Sequence, residues 1–455
     1  MPWDTQYLIE SLSDSTIYMA YYTVAHILHE GSLDGSVSHV NPKDVNDEVW
    51  EYVFGDGPLP SSNISADTLY KMKEQFEYFY PWDLRVSGKD LVPNHLTMSI
   101  YNHVALFPKK FWPRSIRANG HLLLNGEKMS KSTGNFMTLA DSVEKYSADG
   151  TRFALADAGD ALEDANFVEN TANAAILRLF TQIELFKNIL NNESSYRKGE
   201  YNFHDKVFES SMNQCIKDTQ AAYEATLYRE ALKHGFFSLQ NHRDLYRDEC
   251  SDMHFDLLKR FIRVQALLVC PIVTHFSEYV WTEVLGEPNS ILEELFPVAG
   301  EIDCKLLRAS EYLQKSIKDF RTVIQNETNP KNKKAKCLDG VKGMKIVVAK
   351  DFPEWQKAIM RIIRESHAKG NMDSKEIVSM IKKEGITGKK VIPFAMELKA
   401  QVEAKGLSVL ERVIDFDETQ VLSENLEVIR RGLKVMDISV TEGEGVPGEP
   451  TIDLF

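Results

Sequence analysis

Two lysines three positions apart, Lys128 and Lys131, stand in the string Lys128-Met129-Ser130-Lys131-Ser132, inside GHLLLNGEKMSKSTGN at residues 120–135. Chemistry at phosphorus needs positive charge aimed at non-bridging oxygens while negative charge builds on them. Lysine supplies a point charge on a flexible stem. Ser130, Ser132 and Thr133 add hydroxyl donors, and Gly134 with the amides opening the next helix adds backbone donors. One mobile loop with these groups suits a departing pyrophosphate, gripped mainly in the transition state. The bland alternative is a solvated lysine turn. By composition, this five-residue string arises by chance on the order of once in several thousand chains of this length, which favours the functional reading.

A second candidate lies upstream in WDLRVSGKDLVPNHL, residues 82–96, at Gly88, Asp90 and His95. A glycine at the end of a strand lets the backbone approach a base or ribose, and a carboxylate just beyond it accepts from ribose hydroxyls. A Gly-x-Asp turn alone is a weak signal. Shortly before the lysine loop it gains weight.

The elements that would position these groups read as two patterns. Residues 31–65, rich in Gly, Ser, Asn, Asp and Pro, predict a loop with a short helix at 44–52. A helix at 68–80, a buried strand at 83–88, a helix at 91–107 with Pro93 in its first turn, and a short strand pair within 115–124 follow, which suggests a parallel α/β sheet. From residue 139 the spacing becomes helical: 141–146, 150–158, 171–191, 204–226, 227–245 and 253–285, with turns at Gly159, Asn191-Asn192 and Gly286-Glu287-Pro288. That predicts a helical bundle. Residues 329–350 carry seven lysines and one acid, a polar linker. Strands at 344–348 and 435–440 enclose helices at 354–367, 374–384, 391–406 and 417–433, a small α/β domain. The tail 441–455, with four acids and no base, is expected to be flexible. The fold class is thus α/β plus all-α. The expected divisions are 1–150, 151–325, a linker at 326–343, 344–440 and the tail 441–455. The segment from Trp3 is already strongly patterned, so the chain is expected to begin within a domain.

The bulk numbers set limits. At 455 residues, two to four domains are expected. The net charge of −14 argues against a generic nucleic-acid coat and leaves room for local basic surfaces. Five cysteines (Cys215, Cys250, Cys270, Cys304 and Cys337) form no C-x-x-C pair, as for reduced thiols in a cytoplasmic protein. No stretch approaches the roughly 18 apolar residues of a membrane span, and no targeting peptide is visible. No cluster suggests a metal site, and the histidines of the bundle receive no metal role. Asp160, Glu163 and Asp164 read as a solvated turn.

GEKMSKSTGN resembles the signature loop of the class I aminoacyl-tRNA synthetases, and WDLRVSGKDLVPNHL their adenosine-side motif. The wording of MPWDTQYLIESLSDSTIYMAYYT, ANGHLLLNGEKMSKS, residues 154–179, IVVAKDFPEWQ and KKVIPFAMELK is similar to the leucyl-tRNA synthetases of the eukaryotic cytosolic and archaeal type. The resemblance covers essentially the whole chain. It implies the second half of a Rossmann-type catalytic domain, an anticodon-binding bundle and a small C-terminal α/β domain. It implies that Lys131 contacts the ATP phosphates and that Lys128 supports the loop and the pyrophosphate. Gly88, Asp90, His95, Met129, Ser130 and Ser132 would line the ATP. Ser13, Asp14, Ser15 and Tyr18 would wall the amino-acid pocket, unless they simply pack an aromatic-rich helix. Leucine, ATP and tRNA(Leu) would be substrates, Mg2+ would bridge the phosphates, and other synthetases are candidate partners. The acidic residues 160–164 would link catalytic core and bundle, and the linker lysines could touch tRNA.

The family's His-x-Gly-His motif is not in this sequence; AHILHEG, with His26 and His29, has the spacing without the glycine. The editing insertion is also missing. These features imply a C-terminal portion of a synthetase, weakly active or inactive alone. Two other readings stay open: a non-catalytic module that binds tRNA or protein, and a relative specific for isoleucine, valine or methionine.

Overall fold

The computed structural model describes residues 12, 14–328, 343–410 and 414–455, with backbone alone at Asp14, Lys405, Ser408 and Val409. Ser13, Cys337 and most of the lysine-rich linker, residues 329–342, lie outside the described residues. The chain divides into two compact units. One contains Met1–Leu185, Ala221–Lys233 and Val269–Leu292; the other contains Phe186–Gln220, His234–Leu268 and Glu293–Phe455.

The first unit opens with α1 (Tyr18–His29), α2 (Asp47–Phe54) and α3 (Ala66–Phe79). Val24, Val49, Val53, Leu69 and Met72 form their shared core. Asn46 and Ser65 start α2 and α3 by accepting from Val49 N and Thr68 N, satisfying amides that a helix start leaves open. β1 (Arg85–Gly88) and β2 (Ile116–Asn119) pair in parallel, with α4 (Thr97–Leu106) in the crossover. β1 was expected to be buried, but Val86 is 59% exposed. Among the described residues β1 has one strand neighbour, and alternation turns Val86 to a face that nothing covers.

β3 (Leu122–Leu124) pairs with β4 (Glu127–Lys128) antiparallel and with β5 (Ala165–Phe167) in parallel. The strand pair expected within 115–124 is therefore two strands of different sheets. The chain changes sheet at Gly120, whose backbone passes so close to Glu163 that a Cβ would stand 2.1 Å from the Glu163 carbonyl oxygen. α5 (Leu139–Ala158) replaces two expected helices and bends where Ser147 leaves helical geometry (φ 62°, ψ 166°). Gly150 N donates to Ser147 Oγ across the bend at 3.2 Å.

The bundle comprises α6 (Glu169–Asn191), α7 (Phe203–Glu224), α8 (Tyr228–Leu232), α9 (Leu239–Glu249), α10 (Phe255–Val269) and α11 (Thr274–Tyr279). The single helix expected over 253–285 breaks between α10 and α11. Pro271 has no amide to donate. Arg152 takes the freed carbonyls of Pro271 (2.7 Å) and Ile272 (2.8 Å), and buried Asp149 accepts from Phe276 N (2.5 Å), capping α11.

The second unit holds two further cores beyond its bundle portion. α12 (Cys304–Thr328) was expected in the bundle, but its Tyr312, Leu313 and Phe320 pack with the sheet residues Met344, Ile346 and Leu454. That sheet starts with β6 (Gly343–Val348). A separate three-helix core follows, built by α13 (Glu354–Ala368), α14 (Ser374–Lys383) and α15 (Val391–Lys405) around Ile359, Ile363, Ile377, Ile381 and Leu398. α16 (Glu418–Glu424) and α17 (Leu426–Leu433) divide at Asn425, whose side chain donates to Val421 O at 2.7 Å. β7 (Asp437–Glu442) pairs in parallel with β6. The tail expected to be flexible contains β8 (Thr451–Leu454), antiparallel to β6 on its other edge. Thr-Ile-Asp-Leu alternates polar and apolar, so Ile452 and Leu454 reach the core.

Candidate nucleotide site

The lysine loop grows out of the β3–β4 hairpin. Its two-residue turn, Asn125-Gly126, has positive φ at both positions (52° and 88°), the turn whose twist matches antiparallel strands. Asn125 Nδ2 donates to Glu169 Oε2 (2.8 Å), and Glu169 N donates back to Asn125 Oδ1 (3.1 Å). Asn125 N reaches Phe167 O (2.9 Å), and Gly126 N reaches Asn166 Oδ1 (2.7 Å). Lys145 Nζ (2.5 Å) and the Tyr146 hydroxyl also donate to Glu169. Led by Lys145, these donors hold the Glu169 carboxyl at about 2, well below its ordinary 4.5. The base of the hairpin is pinned on every side.

The tip closes on itself. Ser130 N donates to Asn135 O (2.8 Å), and Gly134 N, at φ 73°, donates to Lys131 O (3.3 Å). Ser130 and Ser132 hydroxyls bond each other (2.8 Å), and Thr133 Oγ1 donates to Ser130 O (3.2 Å). The hydroxyls expected to face phosphate are engaged within the loop in this conformation. The next helix starts only at Leu139, and a capping box between Thr138 and Asp141 satisfies amides of its first turn. Met129, between the lysines, packs half-buried on a core of Leu124, Tyr146 and Phe167. Beneath it lies a cleft of about 200 Å³ lined by Leu122, Met129, Met137, Leu155 and Phe167. Lys128 and Lys131 are exposed, and among the described residues neither has an ion-pair partner.

On the other side, Gly88 ends β1 and Asp90 is exposed in the tight turn Lys89–Leu91. His95 is 4% exposed. Arg85 Nη2 lies 3.1 Å from His95 Nδ1. A guanidinium only donates, so Nδ1 accepts and the ring proton sits on Nε2. Nε2 donates to Ser15 Oγ at 2.7 Å, and Ser15 donates to Leu12 O at 3.0 Å. The Arg85 guanidinium also lies 5.8 Å from the Tyr18 ring centre. Residues assigned from sequence to two substrates, His95 on one side and Ser15 and Tyr18 on the other, thus form one cluster around Arg85. Ser13 and the side chain of Asp14 are outside the described residues.

Comparison with known proteins bears on the family. Family profiles described as tRNA synthetases class I (M), anticodon-binding domain of tRNA ligase, and leucine–tRNA ligase RagD-binding domain match residues 45–185, 205–338 and 348–415. The chain is 46% identical to the cytoplasmic leucine–tRNA ligase of Pongo abelii over 97% of its own length and 39% of the relative's. Against those of Arabidopsis thaliana and Saccharomyces cerevisiae the identities are 45% and 43%, over 97% and 96% of this chain and 42% and 41% of the relatives. Over nearly its whole length the chain is similar to the leucyl-tRNA synthetases. It spans about two fifths of the length of the curated relatives it matches. Among the described residues no helix is long and apolar enough to cross a membrane.

In this chain the acidic turn is not simply solvated, contrary to the sequence expectation. Asp164 accepts from Lys89 Nζ (2.6 Å) and His121 N (2.9 Å), tying the Gly-Lys-Asp turn to the start of the lysine hairpin. The bond from Lys89 draws the Asp164 carboxyl down. Asp160 is 19% exposed in its side chain, pairs with Arg117 (3.6 Å) and caps α8 by accepting from Tyr228 N. Sequence reasoning missed Asn125, Asn166, Glu169 and Arg85. Asn125-Gly126 between apolar stretches is a strong local hairpin signal and could have been read. Nothing local marked the others, whose partners in these contacts are 10 to 44 positions away.

Proposed function

We propose that this chain serves leucine–tRNA ligation in the cytoplasm. Leucine and ATP give leucyl-adenylate and pyrophosphate, and the leucyl group then passes to tRNA(Leu). The observation that carries this reading is the pair Lys128 and Lys131, exposed and, among the described residues, without carboxylate partners, on a hairpin that is pinned at Asn125-Gly126. The leucine carboxylate attacks the α-phosphorus, the bond to the bridging oxygen breaks, and charge accumulates on the departing pyrophosphate. Lys131 at the apex and Lys128 at the strand end supply the opposing charge, with Met129 between them packed on the apolar core beneath. Asp90 accepts from the ribose hydroxyls. Arg85 orients His95 and, through it, Ser15 beside Tyr18 on the amino-acid side. Among the described residues no three His, Cys, Asp or Glu side chains gather as a metal cage. An ion there would be carried by ATP.

A second reading draws on the profile match at 348–415, whose description names binding to RagD. The separate three-helix core of α13, α14 and α15 has the independence of a protein-binding insert. The bundle and C-terminal sheet would hold tRNA, and other synthetases are candidate partners of the same surfaces.

Leucine-dependent ATP–pyrophosphate exchange tests the main reading. Two proteins are needed: the 455-residue chain, and the yeast relative with its aligned segment replaced by this chain. The isolated chain carries one of the two phosphate-gripping motifs and is expected to exchange weakly or not at all. The chimera is expected to exchange, and only with leucine. Exchange by the chimera with another amino acid in preference to leucine overturns the proposal.

A further inference from the structure

α14 and α15 are joined by Gly385-Ile386-Thr387-Gly388-Lys389-Lys390. Gly385 and Gly388 have φ of 71° and 152°, so the turn is one that side chains rarely enter. Lys382 and Lys383 end α14, and Lys389 and Lys390 precede α15; all four are exposed. No acid lies between residues 385 and 390. The two carboxylates that line the groove beside this loop are already engaged, Glu384 by Arg361 (2.7 Å) and Glu354 by Lys357 (3.1 Å). Other lysines of this unit have found acids, as in Lys350–Glu442 and Lys399–Glu403. Among the described residues these four have no ion-pair partner, in a chain whose net charge is −14. The loop rims a groove of about 720 Å³, and the half-buried Trp355 lines the same groove, its ring edge-on to Phe394 at 5.3 Å.

Unpaired lysines around a turn raise the local potential and draw a polyanion. A Gly-x-x-Gly turn between two helices admits a sugar–phosphate backbone close to the main chain, the arrangement by which one common class of RNA-binding module clamps nucleotides. The likeness here is of the loop alone. An aromatic ring beside it offers a face on which an unstacked base can lie. We propose that Lys382, Lys383, Lys389 and Lys390, with Trp355, form an interaction surface for the backbone of a non-helical stretch of RNA. The proposal rests on the tRNA part of the functional reading above and places a contact in the segment whose family profile names only a protein partner.

The test is binding of the 455-residue chain to a leucine-accepting tRNA transcript and to oligo(U), followed by fluorescence anisotropy between about 50 and 200 mM salt. The variant K382Q/K383Q/K389Q/K390Q removes four exposed charges and leaves the apolar core untouched. It is expected to weaken tRNA binding about tenfold and to flatten the slope of log Kd against log salt by roughly 3, near 0.7 per lost phosphate contact. In the unaltered chain, tRNA is expected to shield Lys389 and Lys390 from acetylation, a readout independent of how the variant folds. Unchanged affinity and slope, or unshielded lysines, would overturn the proposal. So would loss of poly-glutamate binding in the variant with tRNA binding intact, which would assign the surface to an acidic protein. The leucine reading is measured separately, by exchange in the chimera. A surface that fails while leucine exchange persists leaves the main function standing, and loss of leucine specificity with the salt slope intact does the reverse.

Discussion

The turns at residues 125–134 in the first unit and 385–390 in the second both carry lysines that, among the described residues, have no ion-pair partner, beside glycines of positive φ. They differ in what holds them. The first is fixed at its base by Asn125, Asn166 and Glu169 and at its middle by Met129 in an apolar core. The second is held by backbone bonds, Gly385 N to Lys382 O (3.1 Å) and Val391 N to Gly388 O (3.2 Å), and by Ile386, which packs on the three-helix core, with no side-chain clamp among the described residues on its lysine-bearing end. Charge that must meet a transition state needs a fixed origin, since a small misplacement loses most of the effect. Charge that neutralises a nucleic-acid backbone needs only density, and tolerates a loosely held turn.

The largest expected effect follows from that difference. Lys131→Ala in the chimera should lower leucine-dependent exchange about 10²- to 10³-fold, with little change in KM for leucine. A loss of tenfold or less would mean that the loop acts as a lid and not as an electrostatic partner. Next in size is the clamp. Glu169→Ala leaves Asn125 Nδ2 and Lys145 without their acceptor. About 1–3 kcal/mol of local stability should go with it, and exchange should fall about tenfold although Glu169 is remote from substrate. Asn125→Ala should act in the same direction, and the double variant should cost less than the sum of the two, since the Asn125–Glu169 contact is lost in both. Additive losses would show that the clamp is not a unit. Smaller again is Arg85→Gln, which removes the charge opposite His95 Nδ1 and should raise KM for leucine several-fold while kcat holds; an altered kcat with unchanged KM would place the cluster at the reacting atoms.

How legible was each turn? The lysine string was readable because its five residue types in that order are improbable by composition, and the Asn-Gly turn before it follows from φ alone. Its supports were not. β5 is three residues long and sits in a run of acids, so no period could announce it; only pairing with β3 makes it a strand. Arg85 looked like one more residue in a strand, and its role exists only because the turns leading into α1 and α4 bring Ser15 and His95 to it. The helices at 354–367, 374–384 and 391–406 were readable from their 3.6-residue spacing, and the structure places them within a residue or two. What spacing could not give was partnership. The amphipathic α12 shows the same stripe whether it faces a bundle or a sheet, and its choice of the sheet depends on Met344 and Leu454 far along the chain. The tail misled by composition: four acids in fifteen residues read as solvated, while its last four alternate and join β6.

The finest distinction between the two turns is in acid. Glu169 titrates near 2 in the folded chain against 4.5 ordinarily, because Lys145, Tyr146 and Asn125 all favour its charged form. A carboxyl with a depressed folded value contributes its stability fully above about 4.5 and loses it as pH falls from there toward 2. Lys145, raised by the same contact, stays charged throughout that range, so the change in the pair comes from Glu169 alone. The hairpin base should therefore loosen in acid, while the turn at 385–390, which contains no carboxylate, should not. The effect is small, since the Glu169 side chain keeps 29% of its surface in water and solvent screens the pair. Amide exchange at residues 123–128 should accelerate between pH 4.5 and about 3 relative to residues 385–390, once corrected for the intrinsic pH dependence of exchange. Glu169→Gln, which cannot ionise, should abolish the difference. Equal acceleration in both turns would mean that acid loosens the chain generally and that the clamp at Asn125 adds nothing to it.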